Sequence, residues 1–161
     1  MKKVTIYFLF SAILGIASCE EEITPNPPDY YHLITGNTKK TWKITKLEWA
    51  KGGIPDAVSD LESCDRDNLY TFYSNSDRLF EVNYGNNKCF PSDEGTILTD
   101  QWSLVNATAT LSIPIPIYVF PINALPFFIK KATKKEMSLV IYIDQDNLYS
   151  YTITMQSVSE E

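Results

Sequence analysis

The chain has 161 residues, with 14 basic and 20 acidic side chains, a net charge of −6, three cysteines and one histidine. So acidic a balance argues against a nucleic-acid binder, which needs clustered Lys and Arg against phosphate. A single histidine, with no serine-elbow, phosphate-loop, zinc-protease or dinucleotide fingerprint, points away from catalysis. The reading is a non-enzyme with no cofactor and no metal.

The N-terminus carries Lys2 and Lys3, followed by an apolar run from Val4 to Ile16 and then Ala17-Ser18-Cys19. A positive start, a short apolar stretch and small residues at its end form a secretory signal. Thirteen helical residues reach about 20 Å, short of a ~30 Å hydrocarbon core, so a permanent transmembrane anchor is disfavoured. Ile16-Ala17-Ser18-Cys19 resembles the lipobox cut by lipoprotein signal peptidase. The resemblance implies that residues 1–18 are removed and that Cys19 becomes a lipid-carrying N-terminus. Two or more palmitate-class acyl chains bury enough CH₂ groups for stable membrane anchoring. Glu20-Glu21-Glu22 and the proline-rich stretch through Pro28 form an extended, solvated spacer, so residues 19–32 are read as a tether. The acidic run resembles the surface-export signal of Bacteroidota lipoproteins, which implies an outer-membrane location facing the cell exterior. The periplasmic face is the alternative.

Loss of the signal leaves about 140 residues, room for one domain with a sizeable core, assigned to residues 33–157. Lys2 and Lys3 leave with it, so 12 basic side chains face 20 acidic ones and the net charge becomes −8. With Cys19 consumed by lipid, Cys64 and Cys89 remain as a pair in an oxidising compartment. Two cysteines and one histidine do not complete a structural zinc site, which favours a disulfide.

Asp29–Thr35 is the one plausible helical turn. From Lys40 onward short runs of alternating apolar and polar residues are separated by Asn, Asp, Gly and Ser, as in half-buried antiparallel strands. The predicted strands are Thr41–Trp49, Leu69–Tyr73, Arg78–Tyr84, Thr99–Leu104, Thr108–Ile113, Phe127–Lys131, Met137–Ile143 and Leu148–Gln156. Ile117–Phe120 is a candidate ninth piece. If Ser74 faces Arg78, Phe72 pairs with Phe80 and Tyr70 with Val82, giving one apolar face. Carried outward, that register sets Cys64 opposite residue 88, beside Cys89, with a bulge near Gly85 taking up the difference. Trp42 and Trp102 are read as core, and Trp49 as lying near an opening. Ile113–Phe128 is strongly apolar yet holds four prolines, which fits an edge or loop that packs over a barrel mouth, contacts a ligand or contacts a partner.

Lys40-Thr41-Trp42-Lys43-Ile44, Cys64-Asp65-Arg66-Asp67-Asn68 before Thr71-Phe72, Gly85 through Cys89, Gln101-Trp102-Ser103-Leu104 and Met137-Ser138-Leu139 occur in this order over residues 33–155. In order and spacing the chain resembles the lipocalin-like domains of Bacteroidota lipoproteins. It departs from the lipocalin pattern at Lys40, where many members have glycine two residues before the first-strand tryptophan. The resemblance implies an all-β fold, an antiparallel up-and-down lipocalin-like β-barrel of about eight strands.

Two functions follow as expectations. In the first, the barrel binds a small, mostly apolar ligand through Trp42, Phe72, Phe80, Trp102, Tyr118 and Phe120. In the second, a filled barrel is a non-catalytic accessory or interaction subunit of a surface complex, with an envelope protein as partner. Asp65–Asn68 and Asp144–Asn147 gather oxygen atoms but lack the glycine and distal glutamate of an EF-hand, and are read as turns.

Overall fold

A computed structural model describes residues 28–161 apart from 59–60, 90–91, 93–94, 118, 121–122 and 145–148. Among these, no helix is long and apolar enough to cross a membrane. Cys19, the signal and most of the tether lie outside the described residues.

Alternation of apolar and polar residues sets the first strand. β1 (Lys39–Lys51) buries Lys40, Trp42 and Ile44 on one face, and an irregularity between Ile44 and Lys46 shifts parity so that Leu47 follows them inward. One edge of β1 pairs with β10 (Tyr149–Glu160), from Lys40↔Glu160 to Ala50↔Ser150. Its other edge is shared. β3 (Leu69–Tyr73) takes Lys39 through Lys43, and the short β2 (Ile54–Val58) takes Glu48 through Lys51. β2 was not foreseen, although Gly52-Gly53 is a strong hairpin signal. Both glycines have positive φ (60° and 76°), the requirement of a tight two-residue turn.

The remaining strands are β4 (Leu79–Asn83), β5 (Thr96–Gln101), β6 (Ser103–Val105), β7 (Thr110–Ile113), β8 (Leu125–Ala132) and β9 (Glu136–Asp144). The sheet order is β5-β4-β3-β1-β10-β9-β8-β7-β6, with every pair antiparallel. β5 and β6 occupy the two ends of that path, yet only Trp102 separates them in sequence. They act as two halves of one bent strand that leaves β4 and joins β7, which is why a single strand was expected at Thr99–Leu104. With β5 and β6 merged and β2 set aside as a hairpin flap, eight strands form a nearly closed up-and-down barrel of lipocalin-like type. Trp102 anchors the bend from inside: its backbone N–H donates to Arg78 O at 2.9 Å and its indole N–H to Tyr73 O at 3.1 Å.

The β3–β4 hairpin adopts the expected register, with Tyr70 opposite Val82 and Phe72 opposite Phe80. Cys64 and Cys89 are bonded where that hairpin opens, with Cα atoms 5.1 Å apart. The ladder ends at Asn83, so Gly85 lies beyond it. Its role is close approach, since a Cβ there would sit 2.3 Å from Asp67 O. Ile117–Phe120 contributes no strand among its described residues.

One barrel end is closed by α1 (Tyr30–Thr35), whose N-cap Asp29 accepts from the His32 N–H. Ile34 is fully buried, the Trp42 indole donates to Ile34 O at 2.9 Å, and the Tyr31 hydroxyl donates to Ser74 O at 2.7 Å. Lys40 fills the place where the lipocalin pattern has glycine. Its side chain is wholly buried, with Nζ 3.1 Å from Leu33 O, 2.9 Å from a Glu160 carboxylate oxygen and 4.8 Å from the Trp42 ring centre. The ammonium thus caps a helix carbonyl and ties β10 to α1, a polar closure in place of a close backbone approach.

Truncating a fully buried aromatic removes transfer free energy and leaves a cavity. Phe72→Ala is expected to cost about 3–5 kcal/mol in urea unfolding. Opening the disulfide, which spans 25 positions, is expected to cost roughly 3–4 kcal/mol. Comparison of oxidised protein with a Cys64→Ser/Cys89→Ser variant measures it.

Candidate functional site

Strand parity directs Trp42, Phe72 and Phe80 inward, and the bend adds Trp102. The structure brings these four together. Phe72 lies 4.8 Å from Phe80 and 6.0 Å from Trp102 between ring centres, and Tyr31 of α1 covers Trp102 at 5.4 Å. All four are at most 1% exposed. The expected ligand-lining residues of this half of the barrel are therefore one another's packing partners.

Phe120, also expected to line a ligand, sits at the opposite end. The proline-rich segment between β7 and β8 turns Ile115, Ile117 and Phe120 inward, all buried. Phe120 meets Phe127 edge-on at 5.7 Å and Tyr151 at 5.4 Å. Pro114 and Pro116 have no N–H to give a ladder, and the buried Ile115 and Ile117 beside them pack over the mouth. Tyr118, the sixth expected residue, lies outside the described residues. Trp49 is half-buried near this mouth and stacks on Tyr149 at 5.6 Å, with Lys51 Nζ 5.5 Å from the Tyr149 ring centre.

Apolar surface remains on the outside of the same end. Phe128, Tyr142 and Ile143 are 42–56% exposed, and the Phe128 and Tyr142 rings meet edge-on at 6.0 Å. With Val119, Leu125 and Pro126 they line an open depression beside the plug. Tyr142 also borders a second groove beneath the β1–β2 hairpin, whose walls include Glu48, Ala50, Lys130, Ser150 and Thr152. Ile54 on that hairpin is 72% exposed. Val119, Leu125, Pro126 and Phe128 of this rim fall in the proline-rich stretch that the sequence offers as a contact, whereas Tyr142 and Ile143 were missed, although Ile141-Tyr142-Ile143 breaks the apolar–polar alternation. A strand apolar on both faces reads as one buried on both faces, whereas here the outer face is open.

No catalytic constellation stands out among the described residues. His32 pairs with Asp29 on the exposed face of α1, and that contact holds the Asp29 carboxyl below its ordinary pKa. No protein-family model matches the chain, and no curated protein matches it.

Lys40 likewise holds Glu160 below the ordinary carboxylate range, by hydrogen bond first and charge second. A depressed folded-state pKa contributes stability above the unfolded value and loses it as pH falls through the folded one. Glu160→Gln is expected to flatten the acid limb of the stability–pH curve below the ordinary carboxylate pKa, measured by urea unfolding across that range. Lys40→Ala, which leaves a void under α1 and an unserved Leu33 carbonyl, is expected to cost about 2–3 kcal/mol at neutral pH.

Proposed function

We propose that this chain is a lipid-anchored protein of the outer cell envelope whose barrel is a filled, non-catalytic interaction module, with the apolar outer rim as its contact surface. The carrying observation is where apolar groups lie. Trp42, Phe72, Phe80, Trp102 and Phe120 are spent on one another and on the plug. Phe128, Tyr142, Ile143 and Ile54 face solvent. Contiguous exposed apolar surface rimmed by polar residues is the usual mark of a protein contact. Its position supports the reading as well: strand directions put the rim at the end opposite α1, and the tether enters at α1. A barrel held at Cys19 would present the rim away from its own anchor.

Binding of a small apolar ligand inside the barrel is the competing function, and it requires the buried aromatics to separate. Tryptophan emission follows this directly, because Trp42 and Trp102 are both buried there. Titration with fatty acids is expected to leave the emission unchanged, and saturable quenching would favour the ligand reading. Serine at Phe128 and Ile143 together is expected to change stability by no more than about 0.5 kcal/mol each. The same variant is expected to lose any stoichiometric envelope complex that the parent forms on native gels of solubilised membranes. For the anchor, metabolic labelling with a palmitate analogue is expected to mark the parent and not Cys19→Ser. A labelled Cys19→Ser protein contradicts the lipoprotein assignment.

A further inference from the structure

The loop that the disulfide pins carries carboxylates that take part in no ion pair among the described residues. Glu62, Asp65 and Asp67 stand close together in sequence, and Glu62 lies beside the disulfide, 3.8 Å from Cys64 Sγ. Arg66, the one basic residue among them, turns its guanidinium to Leu61 O at 3.1 Å. The ion pairs described for the barrel involve other carboxylates. Burial, helped by the charge of Glu62, holds Asp65 above its ordinary pKa.

Beneath these carboxylates is a second, independent feature. Asn68 is 2% exposed and Tyr70 is fully buried. Asp67 Oδ1 and Asn68 Oδ1, both shielded from solvent, have no hydrogen-bond partner among the described residues. Buried oxygens are ordinarily paired, so two on adjacent residues require an explanation. Asp67 is held where it is: its Oδ2 accepts the Asn87 N–H at 2.8 Å, and Gly85 packs directly against it. The Asn68 amide nitrogen is 3.4 Å from Asp65 Oδ1. The Tyr70 hydroxyl lies by the Asn68 amide, whose hydrogen bond opposes the upward push of burial and of the Asp65 charge on the Tyr70 pKa.

We propose that the Asp65–Tyr70 stretch is a binding site for a hard divalent cation of the calcium class. Asp65, Asp67 and Asn68 supply oxygen ligands, and Tyr70 forms the inner wall. Carboxylate and amide oxygens without donors suit a cation that takes six to eight oxygens in flexible geometry and completes its shell with water. Magnesium, which demands near-ideal octahedral geometry, suits an irregular loop less well. From sequence alone Asp65-Arg66-Asp67-Asn68 is a turn. The unserved oxygens beneath it are what change that reading, and the Cys64–Cys89 bond holds the loop in place before any ion arrives.

The test is a terbium titration of the full chain with its disulfide intact, exciting tyrosine and tryptophan, followed by displacement with calcium. Saturable sensitised emission that calcium reverses is expected, as is a calcium-dependent rise in Tm beyond that of sodium chloride at equal ionic strength. Asp67→Asn keeps an acceptor for Asn87 and is expected to weaken binding about tenfold or more. Asp77→Asn, in the exposed β3–β4 turn, is expected to leave it unchanged. If Asp67→Asn does not fold, Asn68→Asp serves instead, because an added ligand charge is expected to tighten terbium binding. Absence of saturable emission, or an Asp67→Asn or Asn68→Asp protein that binds like the parent, overturns the proposal and leaves bridging water as the partner of these oxygens.

Discussion

Pairing of β1 with β10 is the constraint on which the barrel depends. The two strands are joined residue by residue from Lys40↔Glu160 to Ala50↔Ser150, although about a hundred residues lie between them in sequence. Local hairpins make every other neighbour in the meander except β1–β3, where β2 intervenes. Long-range closure carries the larger loop entropy, which must be recovered by what the closure buries. Trp42, Ile44 and Leu47 from β1 and Ile153 and Met155 from β10 are nearly inaccessible to solvent. The Lys40–Glu160 pair and the Trp42–Ile34 hydrogen bond fasten α1 across the same seam. One interaction thereby shuts the sheet and seals one end of it.

A barrel of eight strands is just wide enough to be filled by its own side chains or to hold one small molecule. Which occurs depends on side-chain volume, and this chain sends large rings inward from β1, β3, β4, β8 and the Trp102 bend. At the far end the proline-rich connection stays off the ladder and lays the buried Ile115 and Ile117 across the mouth. Phe128 and Tyr142 are then left outside by strand parity alone: their neighbours Phe127 and Ile141 take the inward positions. The inward rings and the apolar exterior are two results of the same alternation.

Much of this fold was legible in the sequence because period-two patterning and turn residues act locally. Leu69–Tyr73 needs no tertiary context, and the register of its hairpin by itself sets Cys64 beside Cys89. The Trp102 bend was less legible, since a strand that changes partners mid-course looks continuous in its pattern. β2 is short, carries Pro55 and leans on a strand that β3 also uses, so its alternation is too brief to stand out. Lys40 reads as surface by type, and only the carbonyl of Leu33 and the carboxylate of Glu160 explain its burial. For the candidate site, strand parity is enough to turn Trp42, Phe72 and Phe80 inward, and all three are buried. Whether inward-facing groups line a space or fill it depends on packing across the barrel, which no single strand encodes.

The central claim is that the interior is occupied by the protein's own side chains and that binding takes place on the outer rim. Native mass spectrometry of the protein, purified from the cell envelope under gentle conditions, tests it most directly. The account predicts the polypeptide mass plus its N-terminal lipid and nothing further. A discrete additional small-molecule mass that disappears on denaturation would contradict it and restore the barrel interior as a ligand site.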